Sequence, residues 1–486
     1  MMTTPAPARP SRLAALRRLG RAPWQRTLLA WIALAVLIFF AARYFKHPMF
    51  HFWRGAELPV LLLAAIALAG GAYRGLRAAA HGHGRGRLEP GLRLAACLSL
   101  LCLVAGQEGG YRWQQFSVRQ GSVAMQRMGR HFVIGFRDFD QLPTLAERGL
   151  IGGIYITRRN LRGETVHSLR RRIDALQAAR ARAGLPPLFV MADQEGGEVS
   201  HLSPLVEPMP PLAALVAGDM NMNMDMNMEE AEAHARDYGE RQGRAMAALG
   251  LNMNLAPVVD LKPGQERDWI DRNTRIERRA IASDPRIVAK VAIAYGTGLS
   301  ASGILPTVKH FPGLGRVRGD THVVEASLMH TPAERAADWL PFREVTARTG
   351  AAMMLSHVRL PDIDPHAPAS LSRTLVQDIL RKKSGAGWDY QGILMTDDLN
   401  MGAVYAGGIG RAATAALDAG VDLVLISHDP DQYYRALHAA AMAWRGGAID
   451  AGREIESAKR LDKYWEEDRP IATRPTRFAR TGAARQ

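Results

Sequence analysis

The chain has 486 residues, 47% of them apolar, and a formal net charge of +15. That is long enough to bury a sizeable core and too apolar for a disordered chain. The basic excess would suit a nucleic-acid partner if it lined a folded face, but it gathers at the ends. Six arginines and no acid precede Thr27, and Arg469, Arg474, Arg477, Arg480 and Arg485 follow Asp468. Residues 1–26 and 467–486 therefore read as solvated basic tails, and no nucleic-acid partner is expected.

Three apolar stretches come next: Thr27–Ala42, Leu58–Tyr73 and Leu94–Ala105. With Trp31, Tyr44 and Tyr73 at the interface and Arg43 snorkelling, the first two match transmembrane helices. The third is short enough to suit an interfacial or core helix equally well. Arg74, Arg77, Arg85, Arg87 and Arg93 crowd the second connection. The positive-inside rule places that connection and the N-terminus in the cytoplasm. Residues 27–106 are then a multi-pass region in a lipid bilayer, the inner membrane of a bacterium, and a third crossing puts everything after Gln107 in the periplasm. Without that crossing the remainder stays cytoplasmic. A removable signal peptide is not expected. The only cysteines, Cys97 and Cys102, do not share a helical face and suggest neither a disulfide nor a metal site.

Across residues 120–466 short apolar runs alternate with longer amphipathic ones. The runs are His131–Phe136, Gly152–Thr157, Leu188–Asp193, Leu251–Asp260, Ile304–His310, Ala352–His357, Gly392–Asp397 and Asp422–His428. Helices are predicted over Val166–Ala183, Glu229–Leu249, Pro285–Ala301, Pro332–Ala347, Ser372–Lys382 and Arg411–Ala419. The pattern predicts an α/β fold, a (β/α)8 TIM-like barrel preceded by an α-helical transmembrane region. Leu202–Leu215, with four prolines, reads as an extended loop. Met220–Met228 alternates Met with Asn and Asp and reads as a flexible insertion rather than a copper site.

Asp193, Asp260, Lys309, His310, His357, Asp397 and His428 fall at the ends of apolar runs. In a parallel barrel those ends share one rim, where active sites of this fold are assembled. A single such residue is no more than a strand cap; six strands ending this way point to chemistry. No metal or organic cofactor is expected, since a metal-dependent barrel hydrolase would want a ligand pair on an early strand and HFVIGF offers only His131, at its wrong end.

Three motifs carry a family resemblance: ADQEGG at Ala192–Gly197, KHFPGLGRVRGDTH at Lys309–His322 and MTDDLNM at Met395–Met401. NLAPVVDL, RAIASDP and GGIYITRRN support them in the right order. Together they resemble family 3 glycoside hydrolases, in particular single-domain β-N-acetylglucosaminidases acting on peptidoglycan fragments. The resemblance implies a carbohydrate substrate, a nucleophile at Asp397, a proton-transfer pair in His322 and Asp320, and substrate binding by Asp193, Arg279, Lys309 and His310. It implies no obligate protein partner. Glu198 and His201 stand where the family usually has arginines, and Leu314 where it has histidine. A β-glucoside or other β-glycoside therefore stays open as substrate, as does an anchored barrel that binds glycan without cleaving it.

Overall fold

In the computed structural model the described residues are 23–81, 87–216, 224–264, 274–317, 326–385, 387–405 and 407–467. Asp320 and His322 lie outside them, as do residues 1–22 and 468–486; the four residues before Thr27, expected in the basic tail, are instead the start of a helix. The chain divides into two compact units, Met1–Trp113 and Gln114–Gln486.

The first unit is built on helices Pro23–Tyr44 and Glu57–Ala80 and on most of Leu88–Gln120. Leu34, Ala41, Phe45, Leu61, Ala65, Cys97, Leu100 and Val104 pack where these helices meet. Outward-facing Ile32, Val36, Phe39, Leu63 and Ile66 are each more than half exposed, an apolar surface suited to lipid rather than water. Arg54 donates to the Glu57 carboxylate at 3.0 Å, and Lys46 meets Glu108 at 2.9 Å, so these charges near the helix ends are paired. All three helices are long and apolar enough to cross a membrane, by length and composition. The third apolar run looked short because only Leu94–Ala105 is continuous; its helix runs on for 33 residues.

The second unit is an α/β barrel of eight parallel strands: β1 Phe132–Ile134, β2 Gly153–Tyr155, β3 Phe189–Ala192, β4 Met253–Asn254, β5 Leu305–Phe311, β6 Ala352–Leu355, β7 Leu394–Thr396 and β8 Val424–Ile426. Each pairs with the next in chain order, and β8 returns to β1 through Phe132 opposite Val424. The ring is nearly closed: β7 and β8 meet only through the bridge of Met395 to Leu423. Every strand is short and fully or almost fully buried, as parallel strands covered by helices require. Val133, Tyr155, Met191, Leu255, Met354, Met395 and Leu425 pack into one cluster. All eight predicted runs contain a strand.

The helices follow suit. Pro285–Ala301 has the predicted bounds, with Asp284 capping its first turn and proline at N1. Pro332–Thr349 starts on a capping box from Thr331 to Glu334. The helix predicted over Ser372–Lys382 is present as Thr374–Arg381, wound as a π-helix. One expectation needs correction: helix Met224–Leu249 already includes the second half of the Met/Asn insertion. Residues 217–223 lie outside the description. Within the predicted loop Leu202–Leu215, a single 3-10 turn forms at Leu212–Leu215.

Candidate active site

Because all eight strands run parallel, their C-terminal ends open on one rim. Asp193 directly follows β3, Lys309 and His310 lie near the end of β5, and Asp397 directly follows β7. Arg279 comes from the short helix Ile276–Arg279 in the connection after β4. The structure draws four of the sequence candidates, Asp193, Arg279, Lys309 and His310, into one hydrogen-bonded chain.

Asp193 accepts from the Lys309 ammonium on one carboxylate oxygen and from the Tyr155 hydroxyl on the other. Lys309 reaches Glu195 at 2.5 Å. Glu195 in turn takes a two-pronged contact from Arg279, at 2.9 Å to Nε and 2.7 Å to Nη2, the fork geometry for which arginine is suited. The same Nη2 lies 3.2 Å from His310 Nε2. His310 is oriented from behind: Asp260 accepts from its Nδ1 at 2.7 Å, from its backbone N–H at 3.1 Å, and from the N–H of Leu314 at 2.7 Å. Lys309, Glu195, His310 and Asp260 are all buried.

Burial of this kind must be offset by charge. Burial alone would raise the Asp193 carboxyl, yet Lys309 beside it brings it well below the ordinary carboxylate range. Glu195 is likewise lowered, by Arg279 and then Lys309, against the effect of burial. Burial would lower Lys309, and the two carboxylates more than reverse that. Tyr155 is raised well above its usual value by burial and by Asp193, so it stays a neutral donor. The four charges therefore remain ionised together and sum to zero.

The glycines of the EGG motif have a steric reason. Gly196 sits at φ +93°, where an added Cβ would lie 2.5 Å from the Pro210 carbonyl oxygen, and Gly197 also has positive φ. Only glycine allows the chain to turn there after delivering Asp193 and Glu195.

At β7, Asp397 and Asp398 divide as their neighbours dictate. Asp398 is buried and accepts from Ser427 Oγ at 2.6 Å, His428 N at 2.7 Å and Asn400 N at 3.0 Å. It thus joins the ends of β7 and β8, where the sheet has only one bridge. Asp397 is half-buried and its Oδ1 accepts from the Asp398 N–H at 2.8 Å. His357 bonds Ser370 Oγ at 2.7 Å and the Asp398 carbonyl at 3.0 Å, a packing role, as does Asp260 in its support of His310.

Glu198 and His201, the departures from the family pattern, behave differently. Burial lowers His201 below its ordinary value despite the nearby Asp193, so it is a neutral imidazole at pH 7. Exposed Glu198 gathers Arg275 at 2.9 Å and Arg278 at 2.8 Å. Glu195 and Tyr155 are site residues that the motif reading did not single out, although both stand inside quoted motifs. Among the described residues no group of three or more His, Cys, Asp or Glu is placed to hold a metal ion.

Residues 124–460 match the family model described as the glycosyl hydrolase family 3 N-terminal domain. The chain is 35% identical over 291 residues to a protein named beta-hexosaminidase from Stenotrophomonas maltophilia, covering 60% of this chain and 79% of that one. It is 33% identical over 307 residues to another of that name from Nitrosomonas eutropha, covering 63% and 81%. Among solved structures, a family 3 beta-N-acetylglucosaminidase from Paenibacillus sp. is similar with a TM-score of 0.63 at 30% identity, covering 74% of this chain and 65% of that one. A beta-N-acetylhexosaminidase from Beutenbergia cavernae gives 0.61 at 28%, covering 71% and 99%.

Proposed function

The chain belongs to glycosyl hydrolase family 3, and from that premise we propose that it is a membrane-anchored, retaining exo-β-N-acetylglucosaminidase that removes terminal N-acetylglucosamine from peptidoglycan-derived glycans. The single observation that carries the reading is the neutral quartet of Asp193, Glu195, Lys309 and Arg279 on the rim that also bears Asp397. Fixed donors and acceptors with no net charge suit the hydroxyls of a neutral sugar.

In the proposed reaction a carboxylate oxygen of Asp397 attacks the anomeric carbon while the bond to the leaving oxygen breaks. His322, oriented by Asp320, gives its proton to that oxygen. The same imidazole then takes a proton from water, whose oxygen displaces Asp397, so configuration is retained. Asp193 accepts from sugar hydroxyls, and Lys309, His310 and Arg279 keep it and its neighbours in place. Residues 120–466 form the catalytic domain. Residues 27–106 anchor it in the inner membrane, the N-terminal tail lies in the cytoplasm and the barrel in the periplasm. The arginine-rich second connection and the apolar outer faces of the three helices support that topology.

The test is Asp397→Ala in the purified chain with an aryl β-N-acetylglucosaminide. Turnover should fall by about 10³-fold or more, as loss of a nucleophile does. Undiminished turnover would refute the assignment. A second reading, a β-glucosidase, is favoured only by the neutral His201 and by Glu198; a panel of aryl glycosides separates the two by which sugar gives the higher kcat/KM.

A further inference from the structure

At the N-terminal ends of the strands, opposite the rim that bears Asp193 and Asp397, lies a cavity of about 560 Å³. Every residue lining it belongs to the second unit: Arg130 precedes β1, Gly152 precedes β2 and Phe189 begins β3. Four guanidiniums, those of Arg127, Arg130, Arg148 and Arg180, face it against the carboxylates of Glu147 and Asp462. Two of the four are neutralised, since Asp462 meets Arg130 at 2.5 Å and Glu454 accepts from Arg127 Nε at 2.7 Å. Arg148 and Arg180 make no ion pair among the described residues; their hydrogen bonds all go to backbone carbonyls.

Arg180 is the costly one. Only 3% exposed, it donates from Nε to the Pro186 carbonyl at 2.8 Å and from Nη1 to those of Ile151 at 3.1 Å and Ala146 at 3.3 Å. Its Nη2 makes no hydrogen bond among the described residues. Burial, and then Arg130 nearby, push its pKa down to about 10, so at neutral pH it is still a cation. Carbonyls orient such a group but do not cancel its charge, and a buried charge without a counterion is expensive. Arg381, also largely buried, shows the usual remedy: it bonds the carbonyls of Tyr390 and Gly392 and, at 2.6 Å, the carboxylate of Asp422. Arg180 has the carbonyls and lacks the carboxylate, and the cavity stands in its place.

The other walls say what kind of anion fits. Leu185, Phe189 and Leu461 are apolar, and Val123, at the edge, is strongly exposed. Guanidinium forks match phosphate oxygens, and an apolar wall beside them suits the carbon side of an ester better than a bare ion. Position along the chain points to lipid. Val123 follows by three places the end of Leu88–Gln120, a helix long and apolar enough to cross a membrane. Arg148 Nη1 also donates to the carbonyl of Arg119, in the last turn of that helix, at 2.6 Å. The sequence beyond Glu467 is rich in arginine; it carries the same sign as the cavity and adds to the attraction of an anionic surface.

We propose that this cavity binds a phosphate ester, with Arg148 and Arg180 donating to its oxygens, and that the ester is the phosphodiester of an anionic phospholipid headgroup. The lipid source rests on the membrane anchorage given under Proposed function; the phosphate chemistry does not.

The test is hydrogen exchange of the full chain in nanodiscs of phosphatidylcholine alone and of phosphatidylcholine with an equal part of phosphatidylglycerol. Phosphatidylglycerol should slow exchange over residues 121–130 and 145–152 by about threefold, the factor expected when ligand is about twice its Kd, and leave the segment around Asp397 unchanged. Arg148→Ala removes an exposed side chain, so it folds even if Arg180→Lys does not, and it should abolish most of the slowing while turnover of an aryl glycoside stays at the parent level. No slowing by phosphatidylglycerol, or slowing that survives in Arg148→Ala, overturns the proposal. Equal slowing by inorganic phosphate in phosphatidylcholine discs keeps the phosphate site and overturns the lipid as its source. A chain that does not stay with the discs refutes the anchorage instead, and glycerol 1-phosphate added to the detergent-solubilised chain then decides the site by the same two segments.

Discussion

Glu195 offers the sharpest test of the charge quartet. Its carboxylate lies 2.5 Å from the Lys309 ammonium and makes the two-pronged contact with Arg279; Glu195 and Lys309 are buried and the Arg279 side chain is 13% exposed. Removing it leaves two cations, one buried and one largely so, facing a single carboxylate, Asp193. Breaking such a pair from one side costs about 3–5 kcal/mol, because an uncompensated charge stays behind. Glu195→Gln preserves the shape and isolates the charge. The comparison is Arg278→Ala, which removes only a solvent-exposed contact to Glu198 and should leave stability nearly unchanged. Urea unfolding of the detergent-solubilised chain, followed by tryptophan fluorescence and residual turnover together, gives both differences. If Glu195→Gln lies within about 1 kcal/mol of the parent, the charges are not coupled as described.

The pH dependence gives the same test a second axis. Asp193 and Glu195 have folded values below the unfolded ones, so their contribution is complete above the ordinary glutamate value of 4.5 and fades as pH falls through the lower folded values. Lys309 is shifted the other way, upward from 10.5, so its contribution is complete below that value and is lost only as pH rises past it. The stability gap between parent and Glu195→Gln should therefore be level between about pH 5 and pH 10 and shrink in acid. A gap that widens in acid would refute the assignment of Glu195 as an ionised partner.

Three further outcomes are expected. Asp398→Asn should destabilise the barrel by about 2–3 kcal/mol, since an amide cannot accept from Ser427 Oγ, His428 N and Asn400 N together. Turnover at permissive temperature should nonetheless survive, in contrast to Asp397→Ala, and a kinetic and melting comparison checks both. Asp260→Ala strands the N–H groups of His310 and Leu314 and the His310 ring; KM for the aryl glycoside should rise, with about 2–4 kcal/mol of stability lost in denaturant titration. A chain beginning at Gln114, the start of the second compact unit, should sediment as a monodisperse species without detergent and retain turnover; aggregation would refute the independence of that unit.

The strands were legible because a parallel barrel needs continuous apolar runs, and those runs ended in charged residues at the rim. Helix Pro285–Ala301 was legible to the residue because Asp284 and Pro285 mark its start chemically. Met224–Met228 was not. Asn-Met alternation has period two and no helical stripe, and although methionine itself favours a helix, the segment is helical as the first turns of a helix whose stability comes from residues downstream. Periodicity over Ser372–Lys382 likewise marks a helical segment without distinguishing i→i+4 from i→i+5 winding. Glu195 was hidden differently. Its meaning lies in Arg279 and Lys309, 84 and 114 positions away along the chain, and motif matching records that a glutamate is present without saying that it is buried between two cations.

That burial bears on how a sugar would be read. Each carboxylate oxygen has two lone-pair directions, and among the described residues Asp193 spends one on Lys309 and one on Tyr155. Two acceptor directions are left, one per oxygen, which on the proposed reading take a pair of adjacent hydroxyls. Lys309 keeps Asp193 ionised, Tyr155 keeps it from rotating, and Glu195 keeps Lys309 from carrying a net positive field into a pocket meant for a neutral ring. A substrate lacking one of those hydroxyls would leave a buried acceptor unpaired and lose about 1–3 kcal/mol of binding. Deoxy analogues of the aryl glycoside measure that loss directly. If removal of neither hydroxyl lowers kcat/KM, Asp193 is a strand-end ion pair and not a sugar ligand.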